Sequence, residues 1–66
     1  MTLADFIKVF DFDDSQKVEI WTGFNETYAG TYYSENQIIK DFCTNIYNVK
    51  VIRPLDEFTL QIVIWH

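Results

Sequence analysis

Apolar residues near the start of the chain recur at the spacing of one helical face. Thr2 is a suitable N-cap with Asp5 three residues later, and a stripe of apolar positions follows. The stripe consists of Leu3, Phe6, Ile7 and Phe10. This spacing predicts a helix over residues 3–10. The acidic and polar residues 11–15 end it, because such side chains bond to their own backbone in turns.

Alternation of apolar and polar positions then predicts two strands joined by a short loop. Lys17–Thr22 alternates, and residues 27–33 are rich in Thr and Tyr, which suit a pleated surface. Residues 23–26 between them are predicted to form a hairpin loop. Gly30 marks a bulge or a close backbone approach within the second strand.

A second helical stripe follows Ser34. Ser34 and Gln37 have the spacing of a capping box, and the stripe predicts a helix over residues 35–44. Cys43 falls on this stripe next to Phe42, and a free cysteine packs like a small apolar residue. We therefore expect Cys43 in the core.

The last third of the chain returns to the alternation typical of strands. Residues 48–53 alternate, residues 54–57 supply a turn, and a final strand carries one apolar face. That face consists of Phe58, Leu60, Ile62 and Ile64. The predicted order of elements is αββαββ.

The predicted fold class is α+β, with two layers. Each helix has one apolar stripe and every strand alternates, so a four-stranded antiparallel sheet with two helices on one face buries all apolar sides. The length of 66 residues allows a single domain over residues 1–66. The pattern is compatible with several strand orders.

The other face of this sheet is expected to be open and aromatic. If the apolar strand faces pack beneath the helices, alternation sends Trp21, Val63 and Trp65 to the opposite side. A four-residue hairpin loop pairs Tyr28 with Trp21 and adds it to the patch. We predict that these four residues contact a second copy or a partner, because small monomers rarely expose such a patch. A bulge at Gly30 would instead turn some rings inward.

Charge is unevenly distributed along the chain. Ten acidic residues oppose five basic ones, and residues 1–35 hold seven of the acids against two lysines. An acidic surface repels nucleic acid and accelerates encounter with a basic surface. We therefore expect no direct nucleic-acid binding and a basic nucleic-acid-binding protein as partner, the alternative being a merely solubilising charge. The predicted contact residues are Asp11, Asp13, Asp14, Glu19, Glu26 and Glu35, with Trp21, Phe24 and Tyr28 in support.

Residues for catalysis and for cofactor binding are scarce. His66 is the one histidine, and Cys43 has no base near it in sequence. Gly23 and Gly30 are the only glycines, so no glycine-rich phosphate loop exists. We expect a protein that is not an enzyme and that uses no cofactor.

A calcium loop is the metal site that the spacing comes nearest to. Asp11, Asp13 and Ser15 match the first ligands of such a loop. Gln16 stands where the loop needs glycine, and Thr22 stands where it needs a closing glutamate. We therefore predict that the chain has no metal site.

The sequence also indicates a compartment. No run reaches the roughly 18 to 20 apolar residues of a membrane span, and Asp5 and Lys8 fall where a signal peptide would be apolar. The single cysteine cannot form a disulfide within the chain. We expect a cytoplasmic protein without a membrane partner.

Several segments together form a familiar layout. These are residues 2–7 (TLADFI), a short acidic gap, residues 18–20 (VEI), a Gly-centred hairpin and the closing strand 60–64 (LQIVI). The layout resembles small uncharacterised proteins encoded by phages and mobile elements of Gram-positive bacteria. Several anti-CRISPR proteins are similarly small, acidic and non-enzymatic, and they commonly occupy a basic nucleic-acid groove of the effector.

The resemblance implies a non-catalytic inhibitor of a bacterial defence protein, acting in the host cytoplasm. It transfers no functional residues, because it lies in the layout and not in a chemical signature. The alternative function is that of a small structural homodimer, formed through the open sheet face, with no nucleic-acid-binding partner. The two functions differ in which residues matter, the acids in the first and the tryptophans in the second.

Overall fold

The computed structural model describes residues 1–13 and 15–66. Within them the chain forms two helices and four strands in the predicted order αββαββ. Their bounds are α1 Leu3–Val9, β1 Lys17–Thr22, β2 Thr27–Tyr32, α2 Glu35–Asp41, β3 Asn48–Asp56 and β4 Thr59–Trp65. In this part of the chain neither helix has the length and apolar character that crossing a membrane requires.

The four strands form one mixed sheet in the order β2-β1-β4-β3. Each hairpin is antiparallel, but the inner strands β1 and β4 run parallel to each other. The prediction of an antiparallel sheet is therefore wrong at its centre. The reason lies in the connection through α2, which carries the chain from one edge strand to the other. A helical crossover joins strands of the same direction, so β3 runs parallel to β2 and β4 runs parallel to β1.

Both helices contribute to one buried cluster with a single face of the sheet. α1 supplies three residues, α2 supplies Ile38, and the inner strands supply alternate aliphatic residues. The members are Leu3, Phe6, Ile7, Val18, Ile20, Tyr32, Ile38, Ile62 and Ile64. The predicted apolar faces of β1 and β4 are thus confirmed for these residues. Phe58 is an exception, because it lies in the turn before β4 and is half-exposed.

The predicted start of α1 is confirmed by a complete capping box. The Asp5 amide donates to Thr2 Oγ1, and the Thr2 amide donates to Asp5 Oδ2, both at 3.1 Å. These bonds satisfy amides that the first helical turn leaves without partners. Ser34 caps α2 by accepting from the Gln37 amide at 3.4 Å.

α2 ends at Asp41, three residues before the predicted end, and this places Cys43 outside the helix. Phe42 has an extended backbone, and its ring meets the Tyr32 and Tyr47 rings edge-on. The aromatic contacts draw Phe42 inward, and the next residue of an extended backbone points the other way. Cys43 is therefore exposed, and the expectation that it lies in the core is wrong.

Candidate protein-binding surfaces

The predicted contact residues lie on two different surfaces. We call the surface formed by residues 1–13, residues 15–16 and α2 the helix side, and the face of the sheet turned away from the core the open sheet face. Asp11 and Glu35 belong to the helix side, whereas Glu19, Trp21 and Tyr28 belong to the open sheet face. The structure therefore does not bring the predicted acids and aromatic residues together in one site.

A groove of about 490 Å³ lies on the helix side, between the end of α1 and the start of α2. Its walls include Lys8, Phe10, Asp11, Phe12, Ser34 and Glu35. The Phe10 ring stacks on Phe6 at 5.1 Å between centroids and meets Phe12 edge-on at 4.7 Å. These contacts fix the segment that carries Asp11 against the core, so the Asp11 carboxylate points outward from an anchored backbone.

Asp13 stabilises the loop that follows α1 through hydrogen bonds to its side chain. Its Oδ1 accepts from the amides of Ser15 and Gln16, both at 3.0 Å, and from Ser15 Oγ at 3.1 Å. The carboxylate thereby closes a turn in the way that aspartate commonly does. The predicted contact residue Asp14 lies outside the described residues. Among the residues that are described, no group of three or more His, Cys, Asp or Glu side chains could hold a metal ion.

The helix side carries most of the excess negative charge. Residues 1–13, residues 15–16 and α2 contain five acidic residues and two lysines, out of ten acidic and five basic residues in the whole chain. Three of these acids already accept hydrogen bonds within the protein, because Asp5 caps α1, Asp13 closes the turn after it and Asp41 accepts from the Tyr32 hydroxyl. Within residues 1–13 and 15–66, the ion pair found below 4.0 Å joins Arg53 and Glu26. Asp11 and Glu35 thus have no paired cation among these residues.

Trp21 and Tyr28 lie side by side on the open sheet face, as predicted. The strand register pairs them across β1 and β2, and their ring centroids are 5.6 Å apart. The register skips Ala29, which places a bulge beside Gly30 and keeps both rings on this face. Trp21 Nε1 donates to Glu19 Oε1 at 3.1 Å, so the Glu19 carboxylate is held against the sheet.

Phe24 and Trp65 form a second aromatic pair on this face. Phe24 belongs to the turn between β1 and β2, and its ring meets the Trp65 ring edge-on at 5.4 Å. The Lys50 ammonium lies 5.3 Å from the centre of the Phe24 ring, within the range of a cation–π contact. Phe24 is nevertheless 77% exposed, and Trp65 is 40% exposed.

Val63 is fully buried, which corrects the expectation that it forms part of an exposed patch. Its side chain does belong to the open sheet face by alternation. Because β4 is an inner strand, Trp21 on β1 and Val51 on β3 flank Val63 on both sides. Val63 is therefore covered by its larger neighbours. A partner on this face would contact Tyr28 and Trp65 instead.

Glu26 is the one predicted contact acid with a basic partner in the described part of the chain. It occupies the turn with a positive φ of 50° and accepts from Arg53 Nη1 at 2.9 Å. The hydrogen bond from Arg53 holds the pKa of Glu26 below its usual range. Much of the negative charge of Glu26 is therefore neutralised within the protein.

Lys50 and Arg53 are surface residues that sequence reasoning missed. Arg53 follows Val51 at the spacing of one strand face, so alternation could have placed it on the open sheet face. Lys50 reaches that face through a register shift between Val49 and Val51, which leaves no clear signal in the sequence. With Glu19 and Glu26, these two cations give the face both signs of charge.

Comparisons of the chain with protein-family models, with curated proteins and with solved structures find no match. The geometry and charge of the two surfaces are therefore what a functional proposal can be built on.

Proposed function

We propose that this chain is a non-catalytic inhibitor that binds a basic nucleic-acid-binding protein through its helix side. The observation that supports the proposal most directly is the groove in which Asp11 and Glu35 both lie without a paired cation among the described residues. A surface of unpaired carboxylates repels nucleic acid and attracts a surface built to bind phosphate. The proposal includes a bacterial defence protein as target, a phage or mobile-element origin and action in the host cytoplasm.

The spacing of the acids is compatible with a phosphate-binding partner. Phe10 and Phe12 are half-buried while Asp11 and Asp13 are exposed, so the carboxylates alternate outward along this segment. The Cα atoms of Asp11 and Asp13 are at most about 7 Å apart, because that is the reach of two extended residues. Two carboxylates this close together present a concentrated negative charge to a surface that binds phosphate.

This proposal depends on those predicted contact acids that lie on the helix side. Asp11, Asp13 and Glu35 remain on the helix side, and Asp14 follows Asp13 directly in sequence. Glu19 and Glu26 are held on the opposite face by Trp21 and Arg53. We therefore assign electrostatic steering to the helix side. The acids on that side, and not Glu19 or Glu26, are expected to set the rate of association with the partner.

A capture experiment tests the class of partner. The tagged chain is incubated with a Gram-positive bacterial lysate at low and at high salt, and the bound proteins are identified. We expect a nucleic-acid-binding protein that is released at high salt and that nucleic acid displaces. Capture only of proteins that nucleic acid does not displace would contradict the proposal.

A matched pair of charge reversals then tests the surface. Glu35 lies on the helix side and Glu57 lies in the turn before β4, and both are exposed glutamates. Glu35→Lys should slow association with the captured protein about threefold to tenfold at low salt, because it reverses one charge of a surface whose steering as a whole amounts to tenfold or more. Glu57→Lys changes the net charge by the same amount and should change the rate by less than about twofold. Equal effects would show that only net charge matters and would contradict a helix-side site.

A further inference from the structure

The open sheet face leaves large aromatic surfaces in water. Phe24 is 77% exposed, Tyr28 is 51% exposed and Trp65 is 40% exposed. Trp21 lies between Tyr28 and the buried Val63 across the strands, and the contact between Phe24 and Trp65 joins the hairpin turn to the end of β4. A domain of this size buries only about 60% of the surface of its unfolded chain, so covering such rings would add substantially to its stability.

The charges of this face fit a second copy of the same face. Glu19 and Glu26 carry negative charge, and Lys50 and Arg53 carry positive charge, so the four cancel. In a two-fold symmetric dimer each patch meets itself, which requires both signs of charge within the patch. The helix side fits this requirement poorly, because its five acids outnumber its two lysines and would mostly face identical acids.

The area of the face sets the strength of such an interaction. Four strands about 4.8 Å apart, with about seven residues each at about 3.3 Å, cover a projected area of about 450 Å². Two copies would then bury about 900 Å², which is just below the range of stable standard interfaces. The area therefore favours a weak, concentration-dependent dimer over a permanent one.

We infer that the open sheet face binds a second copy of this chain in a symmetric homodimer, with Phe24, Tyr28 and Trp65 in the interface. The interface uses the surface that the proposed inhibitor function leaves free. Both helix sides of the dimer point outward and remain accessible. The inference is independent of the proposed function, so either can fail without the other.

Sedimentation equilibrium over a wide concentration range tests the homodimer. Samples from about 5 to about 500 µM cover the dissociation constants expected for a weak interface. Wild type should shift from monomer to dimer across this range. Phe24→Asp should raise the dissociation constant at least tenfold, because it places a charge among the exposed aromatic rings without replacing a buried residue. A wild-type chain that remains monomeric at the highest concentration would overturn the inference.

A control variant on the helix side distinguishes dimerisation through the open sheet face from non-specific association of exposed apolar residues. Ile39 on α2 is 52% exposed, and Ile39→Asp introduces the same charge on the other surface. This variant should dimerise within about twofold of wild type. Loss of the dimer in Ile39→Asp, or its retention in Phe24→Asp, would contradict the proposed interface. Circular dichroism of each variant confirms that the fold is intact.

The two tryptophans of the chain provide a second readout. Trp21 and Trp65 both lie on the open sheet face, so dilution of the dimer should change their emission. The Phe24→Asp variant should show a much smaller change over the same concentrations, because it dimerises at least tenfold more weakly. An emission spectrum that is independent of concentration while sedimentation detects a dimer would place the interface elsewhere.

Discussion

Arg53 on β3 donates from Nη1 to Glu26 Oε1 at 2.9 Å, which connects an edge strand with the hairpin turn of the other half of the chain. The same Arg53 nitrogen lies 3.4 Å from Gln61 Oε1 on β4. Exposed ion pairs contribute little to stability, so the main effect of this one is positional. It holds the turn that carries Phe24 beside the open sheet face.

Removing Arg53 should change how Glu26 titrates. The hydrogen bond from Arg53 lowers the pKa of Glu26, so Arg53→Gln should raise that pKa towards its ordinary value. A group with a lowered pKa stabilises the fold above its unfolded pKa and loses this effect as pH falls through the folded pKa. A carboxyl NMR titration measures the shift, and Asp5 serves as an internal control because its pKa is lowered by hydrogen bonds from Thr2. An unchanged Glu26 midpoint would contradict the ion pair.

Two isoleucines with different burial should respond differently to the loss of one methylene. Ile62 on β4 is fully buried, whereas Ile39 on α2 is half-exposed. Ile62→Val should lower the free energy of unfolding by about 1 kcal/mol, because it leaves a small cavity in a packed core. Ile39→Val should lower it by less than about 0.5 kcal/mol. Urea denaturation of both variants gives the comparison, and equal losses would argue against the described core.

Tyr32 should be identifiable by its ionisation at high pH. Its burial, followed by the hydrogen bond that its hydroxyl donates to Asp41 Oδ2 at 2.8 Å, raises the pKa of Tyr32 to about 12. The unfolded chain ionises this phenol near pH 10, so its contribution to stability is full below about pH 10 and is lost as pH rises towards 12. Phenolate absorbance in the ultraviolet measures tyrosine ionisation as pH rises. The step near pH 12 should be present in the wild-type protein and absent in Tyr32→Phe. Asp41→Asn should lower that midpoint, since it removes the nearby negative charge.

Cys43 should react readily in the folded protein. Its thiol is exposed just beyond α2, so a chromogenic disulfide reagent should modify one equivalent without denaturant. The rate in native buffer should be within about tenfold of the rate in urea, because no unfolding step is needed for access. A native rate that is slower by several orders of magnitude would instead place Cys43 in the core.

The sequence pattern predicts local structure well here because the local signals are strong. The Thr2 and Asp5 capping box, the alternation of Lys17–Thr22 and the pairing of Trp21 with Tyr28 each depend on residues close in sequence. The parallel pairing of β1 with β4 depends instead on how the chain crosses the sheet. No local pattern encodes that choice, so the antiparallel prediction failed at the one pairing between the two hairpins.

The candidate site was predicted only in part for a related reason. Alternation correctly assigned Trp21 and Val63 to one face, but exposure depends on what lies beside a residue. Val63 is covered because its strand is internal, which follows from the strand order. In the same way, Asp11 and Glu19 are near in sequence but lie on opposite surfaces, because the sheet lies between them.

The position of β4 within the sheet has a consequence for how the protein folds. β4 is the last element in chain order and pairs with both β1 and β3. The β1–β2 hairpin can form early, but its inner edge has no partner until residues 59–65 are available. During synthesis these residues emerge after the other three strands, so the four-stranded sheet can close only once they have left the ribosome. Formation of this protein's core is thus expected to be a late event governed by contacts between distant residues, which slow folding.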